Sequence, residues 1–113
     1  MSVAAFEYGV LDLSEDGYVN DPEEWDGDIA TRLAGREGIE LTDDHWRVIG
    51  FMRDYYREHG IAADARFVIK FLDQELGYGG QARARLFELF PYGYVQQACK
   101  IAGMRRPRAW STG

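Results

Sequence analysis

The sequence predicts a mainly helical α+β domain, and three observations carry that expectation. Polar and apolar residues alternate only over residues 1–20, and from Trp25 to Ala102 the apolar residues recur at helical spacing. Each helical run is closed by glycine or proline. With 46% hydrophobic and 14% aromatic residues, the 113-residue chain can bury one core without metal or crosslinks.

Each element has a local signal. AFEY and VLDL are short alternating runs around Gly9, and Ser14-Glu15-Asp16-Gly17 is a turn before Tyr18 and Val19, so residues 1–20 read as a small β-hairpin or meander. After Pro22 the period changes, and Trp25, Ile29 and Leu33 share a helical face that stops near Gly35 or Gly38. Thr42 can cap the next helix, with Asp43 and Asp44 at its positive end and Gly60 just past its last turn. Its stripe of Val48, Phe51, Met52, Tyr55 and Tyr56 marks it as the central helix.

Asp64 can cap a third helix with Phe67, Val68, Phe71, Leu72 and Leu76 towards the core, ending at Gly77. The fourth runs from Gln81 to Phe90 and is stopped by Pro91. After a turn at Tyr92-Gly93-Tyr94, Val95 to Ala102 has room for about two helical turns before Gly103. The domain therefore covers 1–103, with the β element in 1–20 and helices in 26–103. Residues 104–113 lack periodicity and read as an exposed arm.

Composition narrows the function. No apolar run is long enough to span a bilayer, and the first residues lack the basic flank and cleavage site of a signal peptide, so a cytoplasmic protein is expected. The formal charge of −6 is uneven: residues 1–45 hold 13 acidic side chains against Arg32 and Arg36, whereas from Arg83 onward six basic residues face Glu88 alone. The C-terminal third thus offers a positive surface to a partner.

Candidate chemistry is sparse. The second and third helices, joined by HGIAAD, have the length of a helix-turn-helix pair, but the third carries only Arg66 and Lys70 against three carboxylates, which argues against nucleic acid as a partner. Paired carboxylates fall at turns and helix starts with no nucleophile and base beside them, and His45 sits in a first helical turn as a structural residue. No catalytic set, metal site or cofactor motif is expected.

Cys99 is the single cysteine, so no internal disulfide can form. It falls on neighbouring positions with Val95, Ala98 and Ala102, as an inert core residue would, yet Lys100 and three arginines come after it, and positive charge favours the thiolate. An inert filler, a reactive thiol and one half of an intermolecular bond all stay open.

The order of signals resembles the DsrC/TusE family over nearly the whole length. The likeness is carried by EDGYVNDPEEWD, by GIELTDDHWRVIGFMRDYYREHGIA with Arg66 after it, and above all by LFPYG followed by QQACKIAG. It implies an orthogonal helical bundle with an N-terminal β-hairpin, a helix-turn-helix-like pair and a mobile C-terminal arm. It also implies sulfur transfer without turnover chemistry. The DsrC branch is the substrate-like partner, or gamma subunit, of dissimilatory sulfite reductase, and the TusE branch relays persulfide sulfur towards tRNA thiolation.

In both branches a penultimate arm cysteine carries sulfur, and DsrC has a second cysteine where Cys99 stands. Here the arm position is Trp110, so the chain resembles a divergent DsrC-like paralogue without the arm thiol. Further departures are Ala63 and Tyr94 where the family favours proline, Gln96 for a basic residue, and Met104-Arg105-Arg106-Pro107 in the arm. The resemblance implies a sulfur carrier or partner-docking protein, associated with sulfite reductase or a sulfur relay. Cys99 is then the only possible persulfide site, and Arg66, Lys100, Arg105, Arg106, Arg108 and Trp110 are candidates for partner or anion contact. The alternative is a regulatory or scaffold paralogue without sulfur carriage that uses the arm for protein or nucleic-acid contact.

Overall fold

The computed structural model describes residues 18–19 and 21–105 and the backbone of residues 2–6 and 9–13. The turn expected at Ser14–Gly17 lies outside the described residues. Strands β1 (Ser2–Phe6) and β2 (Gly9–Leu13) pair antiparallel, with Ser2 opposite Leu13 and Phe6 opposite Gly9. The fold class rests on five helices: α1 (Gly27–Arg36), α2 (Asp43–His59), α3 (Ala65–Gln74), α4 (Ala82–Leu89) and the short α5 (Cys99–Ile101). Among the described residues no helix is long and apolar enough to cross a membrane.

Helix starts are set by short polar side chains. Asp26 accepts from the Ile29 N–H at 2.9 Å to open α1, and Asp64 accepts from the Arg66 N–H at 3.2 Å to open α3. Asp21 does the same for a 3₁₀ turn over Pro22–Glu24, accepting from Glu23 at 3.0 Å. Two caps this close leave Trp25 between the two helical pieces in extended backbone, φ −86° and ψ 146°. This corrects the expectation that Trp25 belongs to the first helix. Its recurrence with Ile29 and Leu33 is a coincidence of spacing, because the Asp26 cap resets the chain.

The ends are equally local. At the close of α2, Gly60 takes φ +75°, and its N–H returns to the Tyr56 carbonyl at 2.8 Å. A single 3₁₀ turn, Gly79–Gln81, feeds α4, which therefore begins at Ala82.

The core draws from every helix. Ala30, Leu33 and Ala34 of α1, Val48, Ile49 and Met52 of α2, Val68 and Leu72 of α3, and Leu86 and Leu89 of α4 are all buried, with Phe90, Tyr94, Ile101 and Met104 closing the centre. The aromatic part of the α2 stripe turns elsewhere. Phe51 stacks on Phe71 at 4.7 Å and Tyr55 on Phe67 at 5.7 Å between ring centres, forming a half-exposed seam between α2 and α3. An open cleft of about 450 Å³ runs along it, edged by Lys70, Gln74 and Glu75. Phe67 is thus a rim residue where a core residue was expected, since α3 needs only Ala65, Val68 and Leu72 to fill its inner face.

Candidate functional site at the Cys99 turn and the root of the arm

Pro91 ends α4, and Gly93 reverses the chain at φ +99°. The chain then enters a π-helical turn over Tyr94–Ala98, closed by the Cys99 N–H on the Tyr94 carbonyl, and only afterwards the α-helical α5. A helix is legible in the spacing here, but no residue signals its π turn. One extra residue per turn is a local distortion common at functional sites.

The turn puts Cys99 inside. Its relative exposure is 0%, and Tyr94 is equally buried beside it. Burial pushes the thiol up to about 12, and the hydrogen-bonding Tyr94 hydroxyl only partly offsets this. At neutral pH such a thiol stays protonated. The Tyr94 hydroxyl donates to the Ala63 carbonyl, so its proton is already engaged.

Lys100 is paired away from the sulfur. Lys100 Nζ lies 3.7 Å from Glu37 Oε2 and 5.2 Å from the Tyr18 ring centre, and Glu37 also receives the buried Gln97 amide at 3.2 Å. Gln97 in turn accepts from the Tyr92 N–H at 2.9 Å. The Lys100 charge is engaged by the carboxylate at the end of α1. Cys99 is thus a buried free thiol in this fold.

Arg66 stands apart on the surface at the start of α3, its side chain 77% exposed, 3.7 Å from Asp64 and over the Phe67 ring. Arg105 is exposed and is the last described residue, while Arg106, Arg108 and Trp110 lie outside the described residues. Met104 is buried, so the core extends to the last residue before Arg105.

Two residues unmarked in the sequence complete the region. Trp25 Nε1 donates to the Ile101 carbonyl at 2.8 Å. Arg53, from α2, lays its guanidinium 4.3 Å from the Trp25 ring centre and donates to the carbonyls of Ala102 at 3.2 Å, Gly103 at 3.4 Å and Pro22 at 2.8 Å. Gly103 takes φ +77° against the same indole, and a Cβ there would sit 2.3 Å from Trp25 Cδ1. Nothing in the spacing of Trp25 and Arg53 links them to residues 101–103, since the contacts span 76 and 49 positions.

Comparison with known proteins gives one answer from three directions. The family of DsrC-like proteins matches residues 6–109. The chain is 37% identical over 102 residues to the sulfurtransferase TusE of Buchnera aphidicola from Acyrthosiphon pisum, covering 90% of each chain. It is 38% identical over 97 residues to the TusE homologue of Haemophilus influenzae, covering 86% of this chain and 89% of the other. The oxidised gamma-subunit of dissimilatory sulfite reductase, DsrC, from Archaeoglobus fulgidus superposes with a TM-score of 0.83 at 33% identity, covering 97% of this chain and all of that one. A chain in the crystal structure of dissimilatory sulfite reductase I superposes with a TM-score of 0.81 at 32% identity and the same coverage.

Proposed function

The chain belongs to the DsrC family, which gives it a sulfur-relay-associated role, and from that premise we propose that it serves sulfur metabolism in the cytoplasm as a docking protein, without carrying sulfur on Cys99 in its folded state. The partner is a sulfite reductase or another protein of a sulfur relay. The contact is made by the basic arm, counted here from Arg105 because Met104 is packed in the core.

The observation behind this reading is the sealed thiol. To take sulfur from a persulfide, a thiolate must attack the outer sulfur; the new S–S bond forms as the old one breaks, and the electron pair leaves with the donor thiolate. That step needs a thiolate and an open approach, and Cys99 is fully buried with its pKa pushed to about 12. The arm offers Trp110 where the family's carrier cysteine would be, together with Arg105, Arg106 and Arg108 for anionic or carboxylate-rich surfaces. Arg66 and Lys100 fall outside this reading, the first for its place at the start of α3 and the second for its pairing with Glu37.

The test has two arms. The folded protein is incubated with a persulfide donor and weighed by intact mass spectrometry; gain of one sulfur atom on Cys99 would sink the non-carrying reading. Binding to purified dissimilatory sulfite reductase and to a persulfide-loaded sulfurtransferase is compared for the natural chain and a variant carrying Arg106→Glu and Arg108→Glu. The reading expects binding to at least one of them, weakened about tenfold or more by charge reversal.

A further inference from the structure

The last four carbonyls of a helix have no partner within it, and each buried one needs a donor from elsewhere. At the end of α5 all four are accounted for. The Cys99 carbonyl accepts from the Met104 N–H at 2.9 Å and the Lys100 carbonyl from the Gly103 N–H at 3.2 Å, a Schellman closure around a left-handed glycine. The other two, of Ile101 and Ala102, are taken by side chains from outside the helix, Trp25 Nε1 and Arg53 Nη1.

Those two side chains also hold each other. The guanidinium lies on the indole at 4.3 Å, and its other nitrogen reaches back to the Pro22 carbonyl at 2.8 Å, so one planar cation ties the segment before Trp25 to the segment before the arm. Gly103 is pressed against the indole with no room for a side chain. The chain immediately before Arg105 therefore has a fixed path, set by Trp25 and Arg53.

We propose that Trp25 and Arg53 form a lock on the root of the C-terminal arm, fixing the path of the chain up to Arg105, from which the arm meets the partner. This rests on the reading that the arm docks. Arg53 is a positioning residue: it acts on the partner through the backbone of residues 102 and 103.

Amide hydrogen exchange on the full chain tests the lock directly, using Arg53→Lys, which keeps the charge but cannot span both carbonyl sets while lying flat on the indole, and Trp25→Phe, which keeps a ring but loses the N–H. The Gly103 and Met104 amides are expected to exchange about tenfold faster or more in both variants, with Met52, Val68 and Leu86 within about twofold of the natural chain. Unchanged rates at 103 and 104, or equal acceleration of the core amides in both variants, would overturn the lock. Binding to dissimilatory sulfite reductase is then expected to weaken about tenfold in Arg53→Lys. Freed amides with natural binding would overturn its role in presenting the arm. If the Arg106→Glu, Arg108→Glu chain binds as well as the natural one, the docking reading fails by itself, and the exchange rates still decide the lock.

Discussion

Arg85 grips one oxygen of Asp44 with two nitrogens, Nη2 at 2.9 Å and Nε at 3.2 Å, and the Tyr78 hydroxyl donates to that same oxygen. The cluster joins the first turn of α2 to the start of α4 through the loop between α3 and α4. The Tyr78 hydrogen bond, then that of Arg85, holds the Asp44 carboxyl below its ordinary 3.8. A carboxylate depressed in the fold stabilises fully above its unfolded pKa, and that contribution is lost as pH falls through the folded value. Asp44→Asn is expected to cost about 1–2 kcal/mol at pH 7. Urea midpoints should show the variant losing less stability than the natural chain on acidification below about pH 4.

His45 gives a second pH dependence with a different origin. The Thr42 backbone N–H can only donate, and it points at Nδ1 from 3.0 Å, so Nε2 carries the proton and donates to the Leu89 carbonyl at 2.7 Å. Burial holds the imidazole below its ordinary 6.5, with the Leu89 carbonyl working in the other direction. The neutral ring is the folded form, so its stabilisation is complete above the unfolded pKa and declines as pH falls from about 6.5 through the folded value. Chemical denaturation at pH 7.5 and pH 5.5 should show this decline, and His45→Gln should remove most of it while costing about 1–2 kcal/mol at the higher pH.

Gly60 and Gly103 separate backbone strain from collision. Both are left-handed, at φ +75° and +77°, but a Cβ at Gly60 meets nothing within 4 Å, whereas one at Gly103 runs into the Trp25 ring. Alanine at 60 is expected to cost about 1 kcal/mol. Alanine at 103 should cost at least about 3 kcal/mol, because the indole must leave the Arg53 guanidinium and the Ile101 carbonyl. Thermal unfolding followed by tryptophan fluorescence reads both, and a Gly103→Ala penalty as small as that at 60 would contradict the packing described.

Tyr94→Phe tests what seals the thiol. Phenylalanine fills nearly the same volume but leaves the Ala63 carbonyl without its donor, for an expected loss of about 1–2 kcal/mol. Cys99 should remain unreactive to dithiodipyridine in the native variant and react once in denaturant. Rapid native reaction would show that the hydroxyl, rather than the packed ring, keeps the sulfur closed.

The helices were legible because their instructions are local. Asp64, Thr42, Gly60 and Gly103 mark ends by chemistry that acts within a turn, and the LFPYG and QQACKIAG segments carried the family. Trp25 was misplaced because periodicity counts positions and ignores a cap that restarts the chain. The raised thiol was illegible for another reason: it depends on burial among packed segments that only the fold brings together, such as Tyr94 and Ala63 across 31 positions. Arg53 read as one more charged residue on a long helix, since its three backbone acceptors are contributed by segments that only the fold brings together.

The closed state of Cys99 makes the molecule a clean background for sulfur chemistry. With the single native thiol withheld from solvent, Trp110→Cys would create a chain whose every sulfane sulfur, mixed disulfide or alkyl group belongs to the arm. Sulfur chemistry at the arm position could then be followed in a single protein while the helix cysteine stays buried in the core.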